Sequence, residues 1–156
     1  MPNLNDPQFD DVREQAGFNA RRARLGRQAG ARRLGLSYWE VEPGQAAYPY
    51  HVHLTEEEML VVLEGTPRLR TPDGWRELEP GEVVSFTAGE QGAHQLVNPT
   101  DRVVRFLAIS TAGAPEILLQ PDSGKLGARD AGSLTTVWFR ESDAVPYFEG
   151  EQPPDA

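Results

Sequence analysis

The sequence predicts an all-β domain, a jelly roll or sandwich built from short antiparallel strands. Three observations carry this. The 156 residues include 15 glycines and 13 prolines, scattered rather than repeated, as turns between short strands require. Runs of β-favouring residues recur every 8–12 positions with turn signals between them. No helix of convincing length is visible, a short one around Asp10–Asn19 apart.

Taken in order, residues 1–20 read as an extended or partly disordered lead-in. Arg21–Glu42 offers two strand signals around Gly26, Gly30 and Gly35, of which Leu34–Val41 (LGLSYWEV) is the better. Glu42-Pro43-Gly44 is a turn, and Ala47–Leu54 a short alternating strand. Glu58–Glu64 (EMLVVLE) is a strand ended by Gly65; its apolar side chains fall on both faces, predicting cover on both sides. Arg68–Thr71, the turn Pro72-Asp73-Gly74 and Trp75–Leu78 form a hairpin. After the turn Glu79-Pro80-Gly81 comes the strand Val83–Phe86, then a loop over Ala88–Ala93, then His94–Val97. Val103–Ser110 is the last strong strand; residues 111–132 read as loop, Leu134–Phe139 as a final strand, and the end as a polar tail. One domain over 21–140 accounts for the chain, with 1–20 as lead-in and 141–156 as tail.

Composition limits the chemistry. With no cysteine, a metal could be held only by nitrogen and oxygen donors. The net charge of -9 argues against a nucleic-acid partner, since phosphate binding needs basic clusters. That charge is uneven. Residues 1–35 hold seven arginines (Arg13, Arg21, Arg22, Arg24, Arg27, Arg32, Arg33) against four acids, a segment read as a solvated strand and its flanks. The polar start lacks the apolar stretch of a signal peptide, and no apolar run is long enough to span a membrane, so the cytoplasm is the expected location.

The three histidines are His51, His53 and His94. Two residues apart on a strand, His51 and His53 lie on one face, roughly 6.6 Å apart along the chain at ~3.3 Å per residue, and can converge on one ion. A His-x-His pair alone is also what exposed or core-packed histidines produce. Glu58 opens a buried strand, where an isolated carboxylate needs a partner that a cation would supply. Glu56 and Glu57 compete for that role and otherwise read as a solvated loop. His94, Leu96 and Asn98 share a strand face.

Gly44-x6-His51-x-His53-x4-Glu58-x6-Gly65 resembles the first motif of the cupin superfamily, and Gly81-x7-Gly89-x4-His94-x3-Asn98 resembles the second. The resemblance is specific over 44–110 and looser over 20–140; it departs in the x6 before His51, where x5 is usual, in Thr87, where proline is common, and in a slightly long loop before His94. It implies a single-domain cupin: a double-stranded β-helix, or jelly-roll barrel, of two antiparallel sheets. His51, His53, Glu58 and His94 would point inward and bind one divalent metal ion, Mn, Fe, Ni or Zn, with about two coordination positions open. Three imidazoles and one carboxylate suit several metals, so the donor set does not choose among them.

The function this implies is enzymatic action on a small oxygen-bearing metabolite at the metal, of the dioxygenase, isomerase or decarboxylase class. The alternatives are a non-catalytic module that binds or senses a sugar or small acid, and a purely structural barrel. The partner expected is a small-molecule ligand, with no nucleic acid and no membrane. A homodimer is expected too, because Leu25, Leu34, Leu36, Tyr38 and Trp39 lie outside the core motifs and need burial. With all three histidines assigned, a proton-transfer base would have to be a carboxylate, a tyrosine or a metal-bound hydroxide. Tyr48, Tyr50, Arg68, Arg70, Gln95 and Asn98 are the other polar candidates for the cavity; packing, a solvated face and, for Asn98, turn capping are their ordinary roles.

Overall fold

The computed structural model describes residues 1–112, 115–130, 133 and 135–152. Its strands are β1 (Asp11–Gln15), β2 (Phe18–Ala23), β3 (Leu34–Val41), β4 (Val52–His53), β5 (Glu58–Glu64), β6 (Arg68–Thr71), β7 (Gly74–Glu77), β8 (Val83–Phe86), β9 (Gln95–Val97), β10 (Val104–Thr111), β11 (Glu116–Gln120), β12 (Lys125–Arg129) and β13 (Val137–Arg140). One short helix, α1 (Leu25–Gln28), interrupts them. Every strand pairing is antiparallel. A six-stranded sheet runs β1-β2-β3-β10-β5-β8; a four-stranded sheet runs β13-β12-β11-β4, and a three-stranded one β7-β6-β9. Isolated bridges Ala46↔Val97 and His51↔His94 tie the segment before β4 to β9, joining the two smaller sheets into the second wall of a barrel.

The alternation of side chains explains the core. On β3 and β10, Trp39 and Phe106 are register partners, stacked with centroids 5.8 Å apart. They pack with Leu60 and Val62 of β5 and Phe86 of β8, and with Leu69 of β6 and Leu96 of β9 from the opposite wall. Burial of each such side chain stabilises the fold by about 1.5–3 kcal/mol. Asn98 closes the turn after β9: its amide donates to Val41 O and Arg102 O, while its Oδ1 accepts from the Thr100 N–H and hydroxyl.

Several elements differ from the sequence expectation. Residues 1–20 are not merely a lead-in. β1 and β2 form a hairpin turned at Gly17, whose φ of +84° suits glycine, and β2 pairs with β3 inside the large sheet. No helix forms over Asp10–Asn19. Of the 111–132 stretch read as loop, Glu116–Gln120 and Lys125–Arg129 are paired strands. The final strand is Val137–Arg140; the expected start at Leu134 lies outside the described residues.

β5 is covered on one face only. Leu60 and Val62 are buried while Met59 and Leu63 are exposed, because the covering layer of Phe9, Leu25 and Ala23 sits over Tyr38, Leu36 and Leu107 of β3 and β10 and stops short of β5. The same layer buries Leu25 and Tyr38 and partly covers Leu36, while Trp39 lies in the barrel core, so of the residues given as needing a second copy only Leu34 is exposed. Among the described residues no helix is long and apolar enough to cross a membrane.

Candidate metal centre

The barrel places four candidate donors from three segments together. His51 precedes β4 and is bridged to His94, which precedes β9, so these two residues pair across the second wall. His53 ends β4, two residues from His51. Glu58 begins β5 and, by strand alternation, shares the inward face with the buried Leu60 and Val62. Glu57 falls on the other face and is exposed.

The atoms converge. His51 Nε2 and His53 Nε2 are 3.2 Å apart, His53 Nε2 and Glu58 Oε2 3.5 Å, and His94 Nε2 and Glu58 Oε2 3.2 Å. Two donors bonded at about 2.1 Å to one ion stand about 3.0 Å apart at a right angle and about 3.4 Å at the tetrahedral angle, so these spacings suit ligands of a common ion. His51, His53 and Glu58 form a group that could hold a metal ion, and His94 adjoins it through Glu58 and lies ring to ring with His51 at 4.5 Å.

The surroundings fix which nitrogen faces inward. His51 Nδ1 lies 3.0 Å from Pro49 O and His94 Nδ1 2.9 Å from Gly92 O. A carbonyl only accepts, so both Nδ1 atoms carry the proton and both Nε2 lone pairs point to the centre. The His94 ring is clamped face to face on Phe86, centroids 3.8 Å apart. His53 differs: its Nδ1 is buried without a hydrogen bond, 3.6 Å from Glu56 Oε2 and 3.9 Å from Glu116 Oε1.

His53, Glu56 and Glu116 also form a group of metal-compatible donors. Its carboxylates are engaged elsewhere. Glu56 pairs with Arg129 at 2.8 Å, and Glu116 accepts from the Leu54 and Thr55 N–H groups and from the Thr55 hydroxyl. Glu56 therefore belongs behind His53, as the acceptor nearest its Nδ1, with Arg129 holding it there.

The charge state matches a cation site. Burial, with the neighbouring His94 and His53, pushes His51 down to about 3, so its ring is neutral at pH 7. Burial alone would raise Glu58, but the adjoining His94, with His53 and His51, outweighs it and holds the carboxyl well below the usual carboxylate range. A neutral His51 ring beside an ionised Glu58 carboxylate fits the protonation states that metal ligation needs.

The centre opens into a cavity of about 980 Å³. Of the other candidates from the sequence, only Tyr48 lines it, edge-on to His51 and His94. Tyr50 packs under Arg70, which pairs with Asp122; Arg68 lies over Trp75; Gln95 donates to Tyr48 O; Asn98 is a turn residue.

Sequence reasoning missed three groups here. Glu56, a competitor of Glu58 that otherwise reads as solvated loop, is buried at 7 % exposure but behind His53. Glu116 was assigned to a loop, although a lone acid before Ile117-Leu118-Leu119 is the same signal that singled out Glu58. The arginines of 1–35 were read as solvated, yet Arg13, Arg22, Arg24, Arg27 and Arg32 line the cavity. Their concentration in an acidic chain was the available signal.

Residues 37–110 match the family model of the cupin domain. A sugar phosphate isomerase of the cupin superfamily from Silicibacter pomeroyi is similar over 96 % of this chain and 98 % of its own, with 24 % identity and a TM-score of 0.80. The polyketide cyclase RemF of Streptomyces resistomycificus is 30 % identical over 71 % of this chain and 78 % of its own, with a TM-score of 0.60. A predicted oxalate decarboxylase of Thermotoga maritima matches over 71 % of this chain and 97 % of its own, at 17 % identity and a TM-score of 0.60. No curated protein matches the chain.

Proposed function

The chain belongs to the cupin superfamily, and from that premise we propose that it is a mononuclear metal enzyme acting on a small oxygen-bearing metabolite. One divalent ion would be held by His51, His53, Glu58 and His94. The observation that carries this is the meeting of Glu58 Oε2 with His53 Nε2 and His94 Nε2 while the Nδ1 atoms of His51 and His94 are tied to backbone carbonyls. A bound divalent ion would supply a Lewis acid that polarises a substrate oxygen.

The protein's own residues do the rest. The barrel walls bury His53 and His94 and leave Glu58 part-buried, and lowered water access strengthens the polar contacts there. Tyr48 presents a hydroxyl that has no hydrogen-bond partner among the described residues, beside His51 and His94. Burial and the nearby Glu58 carboxylate push its phenol upward, so it keeps its proton and serves a substrate oxygen as a donor rather than as a base. The 30 % identity to a polyketide cyclase supports catalysis over passive binding.

The test is a mass-spectrometric turnover screen of small hydroxy, keto and carboxylic acids and sugar derivatives, run with metal-loaded wild type and with Glu58→Gln. Conversion of at least one compound by the wild type and not by the variant supports the reading. Tight binding without conversion by either protein rejects it in favour of a binding module.

A further inference from the structure

The cavity's second pole is cationic. Arg13, Arg22, Arg24, Arg27, Arg32 and Arg129 all line it, in a chain whose net charge is -9. Three of these charges are matched: Arg13 and Arg24 pair with Asp11, Arg24 also with Asp10, and Arg129 with Glu56. Arg22 is held differently, by a hydroxyl and an aromatic face. It extends from β2 beneath the large sheet, its Nε donates to Ser37 Oγ at 2.8 Å, and its guanidinium lies 5.2 Å over the Trp39 ring, which Arg13 also covers at 4.7 Å. Among the described residues no carboxylate lies within ion-pair distance of it. Burial is severe enough to push Arg22 down to about 10, with Arg24 adding to the effect, while Glu58 acts on it in the opposite sense from across the same cavity.

A half-buried guanidinium facing a cavity without a counter-ion is unfavourable, and here Ser37 and Trp39 fix its fork so that the two terminal nitrogens are left for something else. A planar fork of free N–H groups fits the oxygens of an oxyanion, which it grips in bidentate fashion. We propose that the cavity takes a small anionic metabolite whose carboxylate or phosphate group is bound by Arg22, with the rest of the molecule directed toward the Glu58 end. This deepens the function proposed above by naming the substrate class, and rests on it only for the metal end. The oxyanion grip needs no metal.

The test titrates inorganic phosphate and, separately, malonate into EDTA-treated full-length protein by calorimetry, using wild type, Arg22→Gln, Arg22→Lys and Arg76→Gln. Arg76 pairs with Glu82 outside the cavity and is the control. At least one anion binds the wild type and Arg76→Gln alike, and Arg22→Gln weakens it by about tenfold or more. Arg22→Lys, which keeps the charge without the fork, gives an intermediate value and serves alone if the glutamine variant fails to fold. Phosphate binding without malonate binding identifies a phosphate ester as the substrate, and the reverse a carboxylate. Equal affinity in Arg22→Gln and Arg76→Gln, or no binding of either anion, overturns the proposal. Binding that needs added metal and is lost in Glu58→Gln but not in Arg22→Gln also overturns it while leaving the metal site standing. Arg22-dependent binding in a protein that takes up no metal supports it and removes the metal site.

Discussion

Glu56 Oε2 lies 3.6 Å behind His53 Nδ1, on the side of the ring opposite the Nε2 atom that faces Glu58. It is the nearest acceptor for an imidazole nitrogen buried without a hydrogen bond. A slight closure would fix the His53 tautomer and raise its basicity, as carboxylates behind metal-bound histidines do. Glu56→Gln keeps the shape and removes the charge. It is expected to weaken metal affinity by about 10- to 100-fold while leaving the metal stoichiometry at saturation unchanged. Competition with a chelator of known affinity measures this; wild-type affinity in the variant would show that Glu56 serves only Arg129.

Gly92 holds the His94 ring through its carbonyl and ends the tight turn over Glu90–Gly92. A Cβ there would meet Thr87 O at 1.8 Å, a clash with backbone that no side-chain rotation relieves. Gly92→Ala is expected to cost roughly 1–3 kcal/mol of stability, in the range of overpacked sites, and to lower metal affinity although no donor is altered. Denaturant melts with and without metal check both effects.

Asn98 is fully buried and makes four side-chain hydrogen bonds. Asn98→Ala leaves the Val41 and Arg102 carbonyls and the Thr100 N–H without that partner. The expected loss is about 2–4 kcal/mol of unfolding free energy, since each buried orphaned group costs about 1–3 kcal/mol and local relaxation recovers part. Metal affinity in the folded fraction should remain.

The parts of this fold that were legible were those where local pattern and tertiary role coincide. β3, β5 and β8 begin and end where the apolar runs do, because their side chains meet the core directly. Glu58 could be told from Glu57 only by the x6 spacing to Gly65 in the motif; the fold then sets Glu58 on the face of Leu60 and Val62 and leaves Glu57 exposed. The β1–β2 hairpin was not legible: its cross-strand pairs, such as Asp11↔Arg22 and Glu14↔Asn19, are polar, and its ordering comes from ion pairs and from β3. β11 and β12 were hidden by Pro115, Pro121, Gly124 and Gly127, which sit at their ends or, for Gly127, against the Trp138 ring of the neighbouring strand. Glu116 and Arg22 find their roles through partners far away in the chain, Thr55 for one and Ser37 for the other, which no local pattern encodes.

Acid should weaken the metal-free protein. His51 is depressed from its ordinary 6.5 to about 3 by burial and its imidazole neighbours, so as pH falls through that window the unfolded chain takes up a proton that the folded one refuses. Glu58, also depressed, has its stabilising contribution in full above its ordinary 4.5 and loses it below. Both terms point the same way. The expected slope is up to roughly 1.4 kcal/mol per pH unit for each proton. Denaturant midpoints of metal-free wild type and His51→Gln between pH 7 and pH 4 test this: the wild type should fall more steeply than the variant, and parallel curves would refute it.

The most direct test of the metal centre is metal per chain, by elemental analysis of protein purified without an affinity tag, in wild type, Glu57→Gln, Glu58→Gln and His94→Ala. Glu57 is exposed and Glu58 faces His53 and His94, although the two are adjacent in sequence. The account predicts one divalent ion per chain in the wild type and in Glu57→Gln, and loss of most of it in Glu58→Gln and His94→Ala. Full metal in all four proteins, or an empty Glu57→Gln beside a loaded Glu58→Gln, would contradict it.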